Sequence, residues 1–190
     1  MTQRVTEVSG LPVGLWSQTL SPEVGTIVWT AFVPDLPTLE AGLDKAAADA
    51  KYLELAEAGA EFIIPSSLDD SLGFVLHGED ADPDRVVNYV VVNRTTAATG
   101  GLAKAMAVGI EIAQKAEQIS GNPVMFLADV SGNYGSVAWL SGAGDIGEME
   151  RALMAINADP SFVELIDTKA PDAYAGDPGA STQLIYRRLV

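Results

Sequence analysis

Apolar residues fall along this chain in two kinds of run, and the runs occur twice in the same order. LWSQTL (15–20) and VMFLADV (124–130) read as strands; each is followed by a turn, SPEVG or SGNYG, and a second run, TIVWTAFV or SVAWLS. Each set predicts a hairpin. The spacing then changes from two to between three and four. Leu36, Leu39, Leu43, Ala46, Ala50 and Leu53 in one copy, and Ile146, Met149, Leu153 and Ile156 in the other, each predict a helix with one face over a sheet. Asp35 and Asp145 stand where N-caps belong, and Glu148 completes a capping-box pattern with Asp145. Asp159-Pro160 predicts a restarted short helix, whereas Asp49-Ala50 lacks the proline and lets the first helix run through. GFVLH (73–77) and QLIYRRLV (183–190) close the two copies as strands. The acidic segment HGEDADPDR (77–85) reads as a linker. After it, NYVVVNR (88–94) predicts a strand, and Leu102, Met106, Ile110 and Ala113 predict a helix stopped by Gly121 and Pro123. Before the first hairpin there is only RVTEVSG, so residues 4–9 are expected to form a short substitute strand without a crossover helix. That would leave one sheet less covered, as a ligand entrance or a dimer contact.

Sliding the sequence by 110 positions aligns residues 21–77 with 131–187 without a gap. Ten of the first thirty-five pairs are identical, among them Ser21/Ser131, Gly25/Gly135, Trp29/Trp139, Asp35/Asp145 and Asp49/Asp159. Composition alone predicts about two or three. The Trp pair weighs most, because the chain has three Trp. The repeat predicts an N-terminal half, 1–83, and a complete C-terminal half, 84–190.

Composition narrows the functional classes. With 190 residues, 48% hydrophobic and 19% charged, the chain can bury a sizeable core. It has no cysteine and a net charge of −15, so disulfides are excluded and nucleic acid or an anionic membrane surface is an improbable partner. His77 is the single histidine, which argues against a zinc site, and no metal is expected. No run approaches the length of a membrane span, and MTQRVTEVSG lacks the regions of a secretory signal; the expected location is cytoplasmic. Gly142-Ala143-Gly144-Asp145-Ile146-Gly147 fits G-x-G-x-x-G, but the other copy, Phe32 to Pro37, keeps only the capping Asp, and a carboxylate there occupies the amides that a pyrophosphate needs. No cofactor is expected. The acids are unevenly spread, net −11 over residues 1–83 and −4 over 84–190, so a substrate anion is better received by the second half.

Strand, helix, strand, strand, helix, strand is the ferredoxin-like order. The stretch GNYGSVAWLSGAGDIGEMERALMAINADPSFVELI (132–166) resembles the dimeric α/β-barrel superfamily, particularly its NIPSNAP-like and antibiotic-biosynthesis-monooxygenase-like branches. The resemblance implies an α+β fold: two ferredoxin-like units whose antiparallel sheets close into an α/β barrel with helices outside, the first unit missing its first crossover helix. Most members build the barrel from two chains, and this chain carries both halves. The resemblance also implies a choice among cofactor-free oxygenases, haem-handling enzymes and isomerase-like proteins, which fold alone does not make. The haem branches use a histidine in a helix or loop, and His77 ends a strand, so that role does not carry over.

The candidate chemistry rests on few residues. Histidine is the side chain best suited to proton transfer near neutral pH, so His77 is the simplest candidate general acid or base. It aligns with Arg187, placing two hydrogen-bonding tips at equivalent strand ends, where Arg187 or Asn93 could steady an enolate oxygen. Trp29 and Trp139, with Trp16, read either as walls around a planar ligand or as helix-to-sheet core. Tyr89 shares one face of its strand with Val91 and Asn93. Asp129 is a lone carboxylate in an apolar strand, either buried with a raised pKa or facing water at the strand end. Taken with the resemblance, these residues imply a cofactor-independent small-molecule enzyme, a monooxygenase or cyclase/isomerase, acting on a planar aromatic or polyketide-type substrate inside the barrel. The alternative is a non-catalytic binding or assembly protein with a filled barrel. A homodimer is the default association.

Overall fold

Residues 2–9 form a helix, not the strand expected over 4–9. In the computed structural model, which describes residues 1–22, 24–78, 85–177, 179 and 181–189, helix α1 spans Thr2–Ser9 and ends at Gly10, whose φ of 75° is the left-handed closure that glycine tolerates. The Gly10 amide donates to Thr6 O at 3.0 Å. The Ser9 hydroxyl donates to Val5 O at 2.7 Å and accepts from the Leu11 amide at 3.1 Å. The β-branched residues Val5, Thr6 and Val8 suggest a strand, but the closure at Ser9-Gly10 stabilises the turn of helix before it.

The chain is α+β and divides into two compact units: Met1–Ser17, Gly25–Asp69 and Arg188–Val190 in one, Gln18–Val24 and Asp70–Arg187 in the other. The acidic linker lies, over 79–84, outside the described residues, and so does the boundary at 83/84. Beside α1, the first unit holds the hairpin of β1 (Val13–Thr19, its last two residues counted with the second unit) and β2 (Ile27–Ala31), paired antiparallel with Trp16 opposite Val28 and Trp29 opposite Leu15. It also holds α2 (Leu36–Ala48) and α3 (Ala50–Gly59). The helix does not run through at Asp49: that residue is extended, with ψ of 111°, and its carboxylate accepts from the Tyr52 amide at 2.7 Å to start α3 afresh. The apolar stripe of α2 is wider than its buried face. Gly42 and Ala46 are buried, while Leu36 and Leu43 remain exposed.

The second unit contains β3 (Gly73–His77), β4 (Tyr89–Thr96), α4 (Leu102–Ser120), β5 (Val124–Asp129), β6 (Ser136–Ala143), α5 (Ile146–Ala158), α6 (Pro160–Lys169) and β7 (Thr182–Arg188, its last residue counted with the first unit). From β4 onward the order is strand, helix, strand, strand, two successive helices, strand, and the strands lie in the order β7, β4, β6, β5, β3, every neighbouring pair antiparallel. Strand β3, expected to close the first half, pairs with β5 in this unit. Asp159 caps α6 by accepting from the Ser161 and Phe162 amides, with Pro160 in the first turn.

One face of this sheet carries Val124, Phe126 and Ala128 of β5 and Val137 and Trp139 of β6, all buried against α4. The facing stripe of α4 is Ala105, Val108, Gly109, Ile112, Ala113 and Ala116, not the expected Leu102, Met106 and Ile110, which are half-buried. Where the helix crosses the Phe126 ring there is room only for a glycine, Gly109. Phe126 and Trp139 lie 5.1 Å apart between centroids, and a Cβ on Gly109 would sit 2.1 Å from Phe126 Cζ.

Candidate functional site

Where α5 and α6 cross the sheet beyond this core, the packing opens into a cavity of about 760 Å³. Its floor is Val91, Asn93 and Thr95 of β4 with Trp139 and Ser141 of β6; Ile112 and Ala116 of α4, Met149, Ala152 and Ile156 of α5, and Phe162 and Ile166 of α6 form the walls and roof. The volume suits a ligand of drug size, and the lining is mainly apolar with a few polar groups, the usual character of a small-molecule pocket. Trp139 is 9% exposed and fixed from two sides: its Nε1 donates to Gly109 O at 2.8 Å, and Tyr174 meets it edge-on at 5.4 Å. The Tyr174 hydroxyl donates to Ala105 O at 2.7 Å, and burial pushes its pKa far up, so it stays a neutral donor.

The polar lining is held from the sheet and from one loop. Asn93 Oδ1 accepts from Gln183 Nε2 at 3.0 Å, which leaves Nδ2 as the end of that amide available to donate. Thr95 and Ser181 share a hydroxyl hydrogen bond of 2.9 Å. Asn122, in the loop between α4 and β5, accepts from Arg85 Nη2 at 3.0 Å, and Arg85 is also ion-paired with Glu148 of α5. Glu148 in turn accepts from the Gly144 amide at 2.6 Å, while its own amide donates to Asp145 Oδ1 at 2.7 Å. The capping pattern read from the sequence is present at Asp145, with the return bond placed on Gly144.

Of the residues singled out from the sequence, the structure brings Asn93 and Trp139 together. They are directly opposed across β4 and β6, and both line the cavity. Tyr89 shares their face of the sheet but packs with Met149 and Val91 beside the cavity, opposite Arg187, which is exposed. His77 is not among the lining residues; its Nε2 lies 2.9 Å from Glu117 Oε2 on α4. Asp129 lies on the sheet face turned away from α4, 8% exposed, with Arg94 Nη2 3.8 Å away. Burial pushes its pKa up, and Arg94 offsets this in part. Trp16 and Trp29 belong to the first unit, where Trp16 Nε1 donates to Thr30 Oγ1 and Trp29 Nε1 to Thr2 Oγ1. Trp29 is 47% exposed, whereas Trp139, aligned with it in sequence, is buried. Among the described residues no cluster of three or more His, Asp or Glu could hold a metal ion, and no helix is long and apolar enough to cross a membrane. The sequence reading missed Asn122, Ser141 and Tyr174. Only the S-G-x-P-V pattern around Asn122 marks one of them beforehand.

No protein-family model matches the chain, and no curated protein does. Solved structures share its fold, among them these two. A protein of Fusobacterium nucleatum subsp. nucleatum ATCC 25586, described as a "putative monooxygenase", superposes with a TM-score of 0.68 at 14% identity, covering 99% of this chain and 84% of that one. An "anthrone oxidase-like protein" superposes with a TM-score of 0.64 at 13% identity, covering 99% and 83%.

Proposed function

We propose that the protein is a cofactor-independent monooxygenase of planar aromatic or polyketide-type compounds, with the substrate bound between the sheet and helices of the second unit. The observation that carries this reading is the cavity of about 760 Å³, in which an indole wall, Trp139, stands directly opposite a carboxamide, Asn93. The descriptions of the two similar structures as monooxygenase and anthrone oxidase-like support the same class. In this reading a flat substrate stacks on Trp139 and loses a proton beside its carbonyl to solvent water, and the same proton returns in the water that forms. Asn93 Nδ2 and the Ser141 hydroxyl donate to the enolate oxygen that develops. Dioxygen is the oxidant: a ring CH₂ becomes C=O, one oxygen atom staying in the product and the other leaving as water with the two hydrogens. The residues bind, orient and stabilise charge, and the substrate carbanion itself reduces the oxygen.

We also read the two halves as copies of one ferredoxin-like unit, the first with its crossover helix cut to α1. The ten identities, the paired Asp caps and the S-G-x-P-V segments at 9–13 and 120–124 support this. Oxygen uptake and quinone absorbance with an anthrone test the activity. The expected result is turnover above the spontaneous rate that falls at least tenfold in Asn93→Ala with the ligand still bound. Absence of catalysed uptake with any planar anthrone or phenol would refute the reading.

A further inference from the structure

Asn122 is 5% exposed, lines the cavity, and has a donor with nothing to bind: its Oδ1 takes the Arg85 guanidinium, while its buried Nδ2 meets no acceptor among the described residues. A buried amide donor left unpaired is destabilising, so its retention in an apolar pocket calls for a partner. The other copy shows what the same place looks like without that need. There the segment Ser9-Gly10-Leu11-Pro12-Val13 makes the same two serine hydrogen bonds as Ser120-Gly121-Asn122-Pro123-Val124, but the middle residue is Leu11. Leu11 is buried on the helix it faces, where a Cβ on Gly42 would come within 2.8 Å of its Cδ1. In the second unit the residue aligned with Gly42 is Ala152, which lines the cavity. An apolar plug in one copy is thus a polar cavity residue in the other.

We infer that Asn122 is a specificity-determining residue: the cavity selects ligands that present a neutral carbonyl oxygen to Asn122 Nδ2, so its substrates are flat ketones, quinones or lactones rather than plain hydrocarbons or anions. Neutrality follows from the surrounding charge. Arg85, the cation beside Asn122, is already neutralised by Glu148; Arg94, the other cation of the lining, has its guanidinium 3.8 Å from the Asp129 carboxylate; and Asp167 lines the cavity rim. An anionic head would find no free cation at Asn122. This inference rests on the cavity being the binding site.

The test is equilibrium dialysis of the full chain with 9-fluorenone and fluorene, two planar probes that differ by one carbonyl. The ratio of their affinities is compared between the wild type and two variants. Asn122→Asp keeps the acceptor for Arg85 and replaces the donor by a carboxylate oxygen that repels a carbonyl, and the uncharged Asn122→Leu installs the residue of the first copy. Circular dichroism and thermal melts check that each variant folds. The ratio should fall about tenfold in both, equivalent to about 1.4 kcal/mol. If both probes bind and the ratio is unchanged in Asn122→Asp, the selection is refuted while the cavity stands. If neither probe binds the wild type at its solubility limit, the cavity reading fails and the inference with it.

Discussion

Gly109→Ala probes the closest approach in the second unit, and its sign is set by two opposed effects. Alanine is the better helix former, by about 1 kcal/mol in a helix interior. Against that, the added methyl would lie 2.1, 2.5 and 2.6 Å from three carbons of the Phe126 ring. The ring has no exposed surface and cannot swing away, because Trp139 lies 5.1 Å from it and is itself bonded to Gly109 O. Helix α4 must therefore lift from the sheet or the ring must leave its rotamer, and overpacking of this kind costs about 1–3 kcal/mol, occasionally more. With three contacts this short the upper figure applies, which leaves a net loss of about 2 kcal/mol. For a chain of this length that lowers the melting temperature by about 4–8 °C. Gly59→Ala is the matched control: Gly59 ends α3 with helical φ and ψ, and nothing lies within 4 Å of the new methyl, so stability should hold or rise slightly. Thermal unfolding followed by circular dichroism measures both. A Gly109→Ala protein that melts at or above the wild-type temperature would refute the reasoning, since the helix would then not be seated on the Phe126 ring.

Ser120→Ala removes a hydroxyl that donates to Ala116 O and accepts from the Asn122 amide, and Ser9→Ala removes the same pair of bonds in the first unit; each should lower stability by about 1 kcal/mol in urea titration, and a neutral effect in both would deny the closure its role. Two aspartates should respond to pH in opposite senses. The Asp129 carboxyl has its pKa raised by burial, so the native state holds the proton more tightly than the unfolded chain and stability falls as pH rises through the aspartate range; Asp129→Asn should be the more stable protein at pH 7, with the gap closing by about pH 3. The Asp49 carboxyl is held below its ordinary value, first by the Arg4 guanidinium and then by the Tyr52 amide, so its contribution is present above the ordinary aspartate range and is lost as pH falls through the folded value. Asp49→Asn keeps the helix cap and should be less stable than the wild type at pH 7, the difference shrinking towards pH 2. Chemical denaturation at the two ends of each range reads both effects, and a gap that does not change with pH would contradict the assignment.

The elements that could be read from the sequence are those whose signal is local. Asp35, Asp145 and Asp159 cap the helices expected of them because a side-chain acceptor three residues before a free amide needs no tertiary partner. The face of β4 carrying Val91 and Asn93 follows from alternation alone, although which face meets the helices does not. Helix α1 was hidden by a change of register. Its closing segment repeats at 111 positions, Ser9 to Ser120 and Val13 to Val124, while the rest of the hairpin repeats at 110, because β1 is one residue longer than β5. A gap-free comparison ends where the S-G-x-P-V identity begins. The buried face of α4 was misplaced for a different reason. Large apolar residues mark a buried stripe when the partner surface is flat, but here Phe126 and Trp139 already fill the space, so the helix must present Ala105, Gly109 and Ala113 and turn Leu102, Met106 and Ile110 to its flanks. The cavity inherits the same logic. Asn122 and Ala152 line it at the positions aligned with Leu11 and Gly42, which close up in the first unit, and no single position reveals that, since each residue is unremarkable until its opposite number is known.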